Sequence, residues 1–282
     1  MKLIADSGSS KTDWRAIHAD GTIRQFKSGG LNPFYQDEDE ISEELAKNFR
    51  PQIQDQVSEI FFYGAGCVNE EKQDVLKNAL TKNFPGTMVQ VENDILGAAR
   101  ALCHREPGIA CILGTGANSC LYDGGKIVEN IRGYGFLLGD EGSGSYLGKQ
   151  LVIRYLRKEL PTELHKRFKK RYPMTDDEIL NEVHTQPYPN RYLASFSKFL
   201  FHHIRDPYVY QLVYDGFALF MDKNVLKYKN ADQYKVHFVG SIAFYYTNIL
   251  RQVANDKGIT VKNILESPIA GLTLYHQSDL DG

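Results

Sequence analysis

The chain has 282 residues, 42% hydrophobic and 24% charged, with 33 Lys and Arg against 35 Asp and Glu for a net charge near −2. That length predicts two domains or one large one, and the balanced charge gives no pull toward nucleic acid or an anionic membrane, leaving small molecules as the expected partners. The cysteines Cys67, Cys103, Cys111 and Cys120 lack C-x-x-C spacing, "MKLIADSG" meets an aspartate too early for a signal peptide, and no run approaches the ~18 apolar residues of a membrane span, so a cytoplasmic protein with free thiols is expected.

In chain order, the short apolar run 2–6 is followed by Ser-Gly-Ser-Ser, then by alternation through Thr12, Trp14 and Ala16, and Asp20-Gly21 supplies a hairpin turn before "TIRQF". The opening therefore reads strand, turn, strand, turn, strand. A P-loop would need G-x-x-x-x-G-K-[ST] and an immediate helix; here a strand follows, so the loop is a β-hairpin that could cradle phosphate. Helices are predicted at about 37–50, ended by Pro51, and about 69–83, closed by Pro85-Gly86, with "EIFFYGAG" a buried strand between them. "TMVQVEN" is a strand that runs into "DILGAARALCHRE", a helix whose first residue is Asp94.

From Ile109 the grammar repeats. "IACILGTGANSCLYDGGKIVENIRGYG" matches "KLIADSGSSKTDWRAIHADGTIRQFKSGG" element by element: apolar strand, small-residue turn, alternating strand, Asp-Gly turn, strand. An internal duplication predicts two similar lobes with a cleft between them, faced by both turns. Residues 143–232 read as mostly helical and aromatic-rich, "KVHFVGSIAF" as a buried strand turning into a helix at Gly240, and "SPIAGLTLYH" as a short closing helix.

Three stretches carry chemistry. Asp6, ending the first strand, could hold a magnesium ion through water beside phosphate oxygens. Asp94 has two readings that local sequence leaves open, an N-cap or a general base taking a proton from an attacking hydroxyl, and Asn93 beside it is a second cap or a substrate hydrogen-bonder. "GYGFLLGDEGSGSYLGKQL" carries glycines at 133, 135, 139, 142 and 144 around Asp140. So many glycines imply that something approaches the backbone closely, which predicts a binding loop with Asp140 reaching substrate or metal. The basic run "LHKRFKKRY" reads as a solvated helix face, and His202-His203 lacks further ligands at metal spacing.

The ordered set "DSGSSKT", "ENDILGAA", "LGTGANS", "GDEGSG" and "VGSIA" resembles the BadF/BadG/BcrA/BcrD-type ATPases, and within them the N-acetylglucosamine kinases, of the actin–hexokinase–Hsp70 superfamily. The resemblance implies an α/β, duplicated, two-lobed actin-like ATPase (ribonuclease H-like) fold: an N-terminal lobe of residues 1–108 completed by helix 268–282, and a C-terminal lobe of 109–267 with a helical insertion at about 150–232. It implies ATP and Mg2+ as cofactors, an amino sugar as substrate and a homodimer. By the same resemblance Asp6 takes the magnesium-linked role, and Gly8, Ser9, Ser10, Lys11 and Thr12 form the first phosphate loop, although serines at 7 and 9 replace the usual glycines. Gly114, Thr115 and Gly116 form the second loop, and Gly240, Ser241 and Gly271 face the adenosine. Asp94 is implied as the base, and Asn32 of "GGLNPF", Asn118, Gly133 and Asp140 as sugar contacts.

The expected activity is ATP-dependent phosphorylation of the 6-hydroxyl of N-acetylglucosamine or a related amino sugar. The alternatives are an ATPase activator of a 2-hydroxyacyl-CoA dehydratase-type redox system, which needs cysteines for a shared iron–sulfur cluster, and a non-catalytic sugar sensor.

Overall fold

The computed structural model of the chain describes residues 1–8 and 11–277. The chain divides into two compact units, Met1–Glu106 joined by the segment from Ser267, and Pro107–Glu266.

In the first unit β1 (Lys2–Ser7), β2 (Lys11–Ile17) and β3 (Ile23–Gly29) form an antiparallel meander, and β4 (Glu59–Gly64) and β5 (Met88–Asn93) extend the sheet in parallel, giving the order β3-β2-β1-β4-β5. Alternation decides which side chain goes where. Leu3, Ala5, Trp14 and Ala16 enter one core with Ile60 and Phe62, while Ile4 and Ile17 enter another with Tyr63. Both faces of the central strands are therefore covered, as a sheet flanked by helices requires. The first face is packed by α1 (Glu38–Glu44) and α2 (Glu70–Asn83), the second by α3 (Asp94–Cys103). The helix expected at 37–50 is regular only at its start, where Asp37 and Glu40 form a capping box; a π turn at Leu45–Phe49 and a 3-10 turn at Arg50–Gln52 follow. The widened turn buries both Leu45 and Phe49, and Phe49 stacks on Trp14 with ring centroids 4.0 Å apart.

The second unit repeats the plan. β6 (Gly108–Leu113), β7 (Ala117–Tyr122) and β8 (Ile127–Arg132) form the meander, and β9 (Val236–Val239) and β10 (Val261–Leu265) add in parallel, in the order β10-β9-β6-β7-β8. Read from the other edge, this is the first sheet's order strand for strand. β10 was not expected from sequence: Lys262 and Asn263 interrupt its apolar pattern, and it lies at the sheet edge with an irregular register.

Between β8 and β9 run α4 (Gly135–Leu138), α5 (Gly144–Leu156), α6 (Thr162–Arg171), α7 (Asp176–His184), α8 (Pro189–Ser195), α9 (Ser197–His202) and α10 (Pro207–Lys223). Their core is aromatic, as the composition predicts: Phe168 packs against Tyr155, Tyr172, Phe196 and Phe199. α11 (Ser241–Tyr245) and α12 (Thr247–Asp256) flank β9, and α13 (Ile269–Gln277) returns to the first unit, where Ile269 and Leu272 join Ile4, Ile17 and Ala101. Among the described residues no helix is long and apolar enough to cross a membrane.

Candidate functional site

The first unit gathers its polar residues at the carboxyl end of β1. Gly8 N–H donates to the Lys11 carbonyl at 3.0 Å and closes the β1–β2 turn; Ser9 and Ser10, two of the expected phosphate-loop residues, lie outside the described residues. Thr12 Oγ1 donates to the Gly29 carbonyl at 2.9 Å and lies 2.7 Å from Ser7 Oγ, which accepts the Leu31 N–H at 3.0 Å. Thr12 is fully buried, and its hydroxyl holds the hairpin to the loop after β3.

That tie carries Asn32 to the same end of the sheet. Asn32 is buried, and its side-chain oxygen accepts the Phe34 N–H at 2.9 Å, so part of this expected sugar ligand already shapes the turn. A Cβ on Gly66 would collide with that oxygen, which fixes glycine there.

Across the hairpin Asp6 stands directly opposite Asp13. Like charges in cross-strand register repel. Burial pushes the Asp6 carboxyl up to about 7, with Asp13 and then Asp94 adding to the rise and Lys11 and the Ser267 hydroxyl opposing it. Asp6 keeps some solvent contact at its tip, yet dense protein surrounds it. The buried Ser267 Oγ has no fully formed hydrogen bond among the described residues. Lys11 Nζ pairs with Asp13 Oδ2 at 2.7 Å.

Asp94 is resolved by its neighbour. Asn93 is the N-cap of α3, its side chain accepting the Leu96 N–H at 2.9 Å, so Asp94 occupies the first helical position and its carboxylate is not spent on the cap. Burial pushes Asp94 up to about 6, opposed by the N–H groups of Ile95 and of Asp94 itself. Sequence reasoning missed Asp13 and Ser267. The signal for Asp13 was present: once residues 8–11 form the turn, register pairs position 6 with position 13.

In the second unit the glycine-rich segment behaves differently from the expectation. Asp140 is buried, sits in the left-handed region at φ 56°, and its carboxylate accepts the backbone N–H groups of Ala117 and Gly135. Burial still pushes it up to about 6. A Cβ on Gly133 would strike the Ala117 carbonyl and the Asp140 carboxylate, one on Gly139 the Gly133 carbonyl, and one on Gly116 would come 2.9 Å from Asp140 Oδ2. Gly144 and Ser145 donate to the carbonyls of Gly114 and Thr115 at 2.8 and 3.0 Å, so the start of α5 is filled by the β6–β7 turn. What approaches these glycines is the protein itself. Asp140 is a clamp between two loops.

The clamp aims the β6–β7 turn. Thr115 is exposed, and the N–H groups of Thr115 and Gly116 have no acceptor among the described residues. Gly240, at φ +121°, lets the β9–α11 turn pass against the Leu113 carbonyl and Gly114, and Ser241 follows it exposed at the start of α11. Asn118 Oδ1 accepts the Asn130 side-chain amide at 2.9 Å. The second unit thus brings together Gly114, Thr115, Gly116, Gly133, Asp140 and Gly240. Gly271 lies on α13 in the first unit, where a Cβ would strike the Ala101 backbone, so glycine lets that helix pack closely.

Among the described residues no group of three or more His, Cys, Asp or Glu is spaced to hold a metal directly. The donor set still fits a hydrated cation. Asp6 is a carboxylate whose ionisation is opposed by two neighbouring carboxylates, and magnesium characteristically keeps several waters.

No protein-family model and no curated protein matches the chain. Solved structures do. A Porphyromonas gingivalis protein provisionally named an N-acetylglucosamine kinase is 42% identical, with TM-score 0.95 over 99% of this chain and 100% of that one. A Chromobacterium violaceum protein of the same provisional name shares the fold at 18% identity and TM-score 0.72, covering 97% of this chain and 98% of its own. A Listeria monocytogenes protein provisionally named an N-acetylmannosamine kinase does so at 15% identity and TM-score 0.53, covering 99% of each chain.

Proposed function

The chain belongs to the N-acetylglucosamine kinase family of actin-like-fold sugar kinases, and from that membership we propose that it transfers the γ-phosphoryl group of ATP to the 6-hydroxyl of N-acetylglucosamine or a related amino sugar. The observation that carries the reading is Asp94: a half-buried carboxylate at the first position of α3, released from capping by Asn93 and near enough to Asp6 to raise it.

Asp94 accepts the proton of the sugar hydroxyl as that oxygen attacks. With its carboxyl at about 6 it is mostly ionised at neutral pH yet a better proton acceptor than a free aspartate at ~3.9. Positioning and late proton acceptance are the main demands phosphoryl transfer makes on such a group. In the first unit Gly8 and Lys11, with Ser9 and Ser10, serve the phosphates; in the second the open N–H groups of Thr115 and Gly116, beside Gly114, serve them as oriented backbone dipoles. Gly240 and Ser241 serve the nucleoside, and Asn32, Asn118 and Gly133 the sugar. Magnesium, when bound, neutralises charge on the phosphate oxygens; Asp6 would hold it through water.

Placement within the BadF/BadG/BcrA/BcrD branch, two lobes divided near residues 108 and 267, assembly as a homodimer and residence in the cytoplasm belong to the same proposal and rest on the motif resemblance. The redox alternative finds no support. All four cysteines are buried, and burial pushes the Cys67 thiol up to about 12, whereas cluster ligands are accessible thiolates.

The test is product identification. The protein is incubated with magnesium, ATP and a panel of free sugars, and the product is read by phosphorus and carbon NMR. The expected product is N-acetylglucosamine bearing phosphate on O6; phosphate on another hydroxyl, or on none of the sugars offered, overturns the reading.

A further inference from the structure

Lys11 and Asp13 are two apart on β2, so the pleat sends both side chains to the same side of the sheet, the side that also carries Asp6 opposite Asp13. Their ammonium and carboxylate meet at 2.7 Å. The pair is asymmetric: the Lys11 side chain is 66% exposed and the Asp13 side chain 11%. The carboxylate is built into the sheet, and the ammonium reaches it from the solvent side. Asp13 also stands in cross-strand register with Asp6, a like-charge pairing that Lys11 offsets.

We propose that Asp13 is a positioning residue for phosphoryl transfer, which holds the Lys11 ammonium over the Asp6 side of the β1–β2 hairpin so that it meets the phosphates of the incoming nucleotide. This rests on the sugar-kinase reading above. A lysine is a flexible point charge on a four-carbon stem, and an exposed one spends most of its time in solvent unless something anchors it. The Thr12–Gly29 and Ser7–Leu31 bonds fix the strand that presents the anchor. Asp13 acts through Lys11 and makes no contact of its own with the substrate.

The experiment is a double-mutant cycle on the full chain, with Asp13→Asn, Lys11→Met and the double variant. Binding of MgATP is measured by titration calorimetry, and kcat and KM for ATP and for sugar are measured separately. Asp13→Asn is expected to weaken ATP binding and raise KM for ATP by roughly tenfold, a scale set by the cost of misplacing a charged group, while KM for sugar stays put. Its melting temperature should not fall, because the repulsion with Asp6 is gone. In the Lys11→Met background the same substitution should change ATP binding less than twofold, the non-additivity expected of two residues acting as one. Asp13→Glu, which restores the charge, should recover part of the loss. Equal ATP binding by wild type and Asp13→Asn, or a full additional loss in the Lys11→Met background, overturns this inference and leaves the kinase reading intact. Failure of the wild type itself to bind MgATP overturns both.

Discussion

The two hairpins at the heads of the two sheets share a topology and almost no chemistry. β1–β2 carries Asp6, Lys11 and Asp13, and among the described residues a Cβ on Gly8 would have its nearest neighbour at 3.9 Å. β6–β7 carries no charge in its turn and is clamped from behind by Asp140 and by the first residues of α5. The sheet orders are the same read from opposite edges, so the difference is not architectural. One copy of the repeat keeps like-charged carboxylates close together, an arrangement that a cation would relieve. The other is pre-shaped backbone whose N–H groups are held in place. The two copies of the repeat thus differ in kind, one charged and one built of held backbone.

The largest expected effect breaks the charged side. Asp94→Asn should lower sugar-dependent turnover by roughly 10²–10⁴-fold, the usual worth of a positioned base, with ATP affinity unchanged by calorimetry. Next come the glycines that separate the turns. Gly240→Ala, forced to φ +121° against the Leu113 carbonyl, should destabilise the protein by about 1–3 kcal/mol in chemical denaturation, whereas Gly8→Ala should change stability by less than about 0.5 kcal/mol. Asp140→Asn leaves an amide facing two backbone donors and should cost about 1–3 kcal/mol, with turnover falling only as far as the β6–β7 turn loosens.

A further effect has the opposite sign. Asp6→Asn should stabilise the metal-free protein by about 1 kcal/mol, because it removes a charge disfavoured first by burial and then by Asp13 and Asp94, while abolishing the response to magnesium. The pH dependence follows from the direction of the shift. Asp6 rises from 3.8 to about 7 on folding, so between those values the native state binds more protons than the unfolded chain. Its stabilising contribution is complete below pH 4 and is lost as pH rises toward 7. Asp94 and Asp140, both raised to about 6, act in the same sense. Melting of the metal-free wild type should therefore drop from pH 5 to pH 7.5, and Asp6→Asn should flatten that slope.

Much of the fold was legible because its signals are local. The alternation of Thr12, Trp14 and Ala16 and the Asp-Gly turns each sit within a few residues, and their recurrence from Ile109 disclosed the duplication. β10 escaped because an edge strand interrupted by Lys262 and Asn263 draws its pairing from β9, some two dozen residues upstream. At the candidate site, the choice between Asp94 and Asn93 as cap depended on a shift of one residue in where α3 begins, which sequence leaves open. The glycines of 133–144 were correctly taken to mark a close approach, but that the approaching group is the 114–117 turn is a contact between segments far apart in the chain. The Gly29 carbonyl that Thr12 bonds and the Ala101 backbone against Gly271 were hidden for the same reason, since both are non-local partners.

The most direct test of the whole account is the rate of ADP release from MgATP by the wild type as each sugar of a panel is added. The account predicts little release without sugar and strong stimulation by N-acetylglucosamine or a closely related amino sugar. Release that is equally fast with and without every sugar, or absent throughout, would contradict the assignment of Asp94 as a base for a sugar hydroxyl.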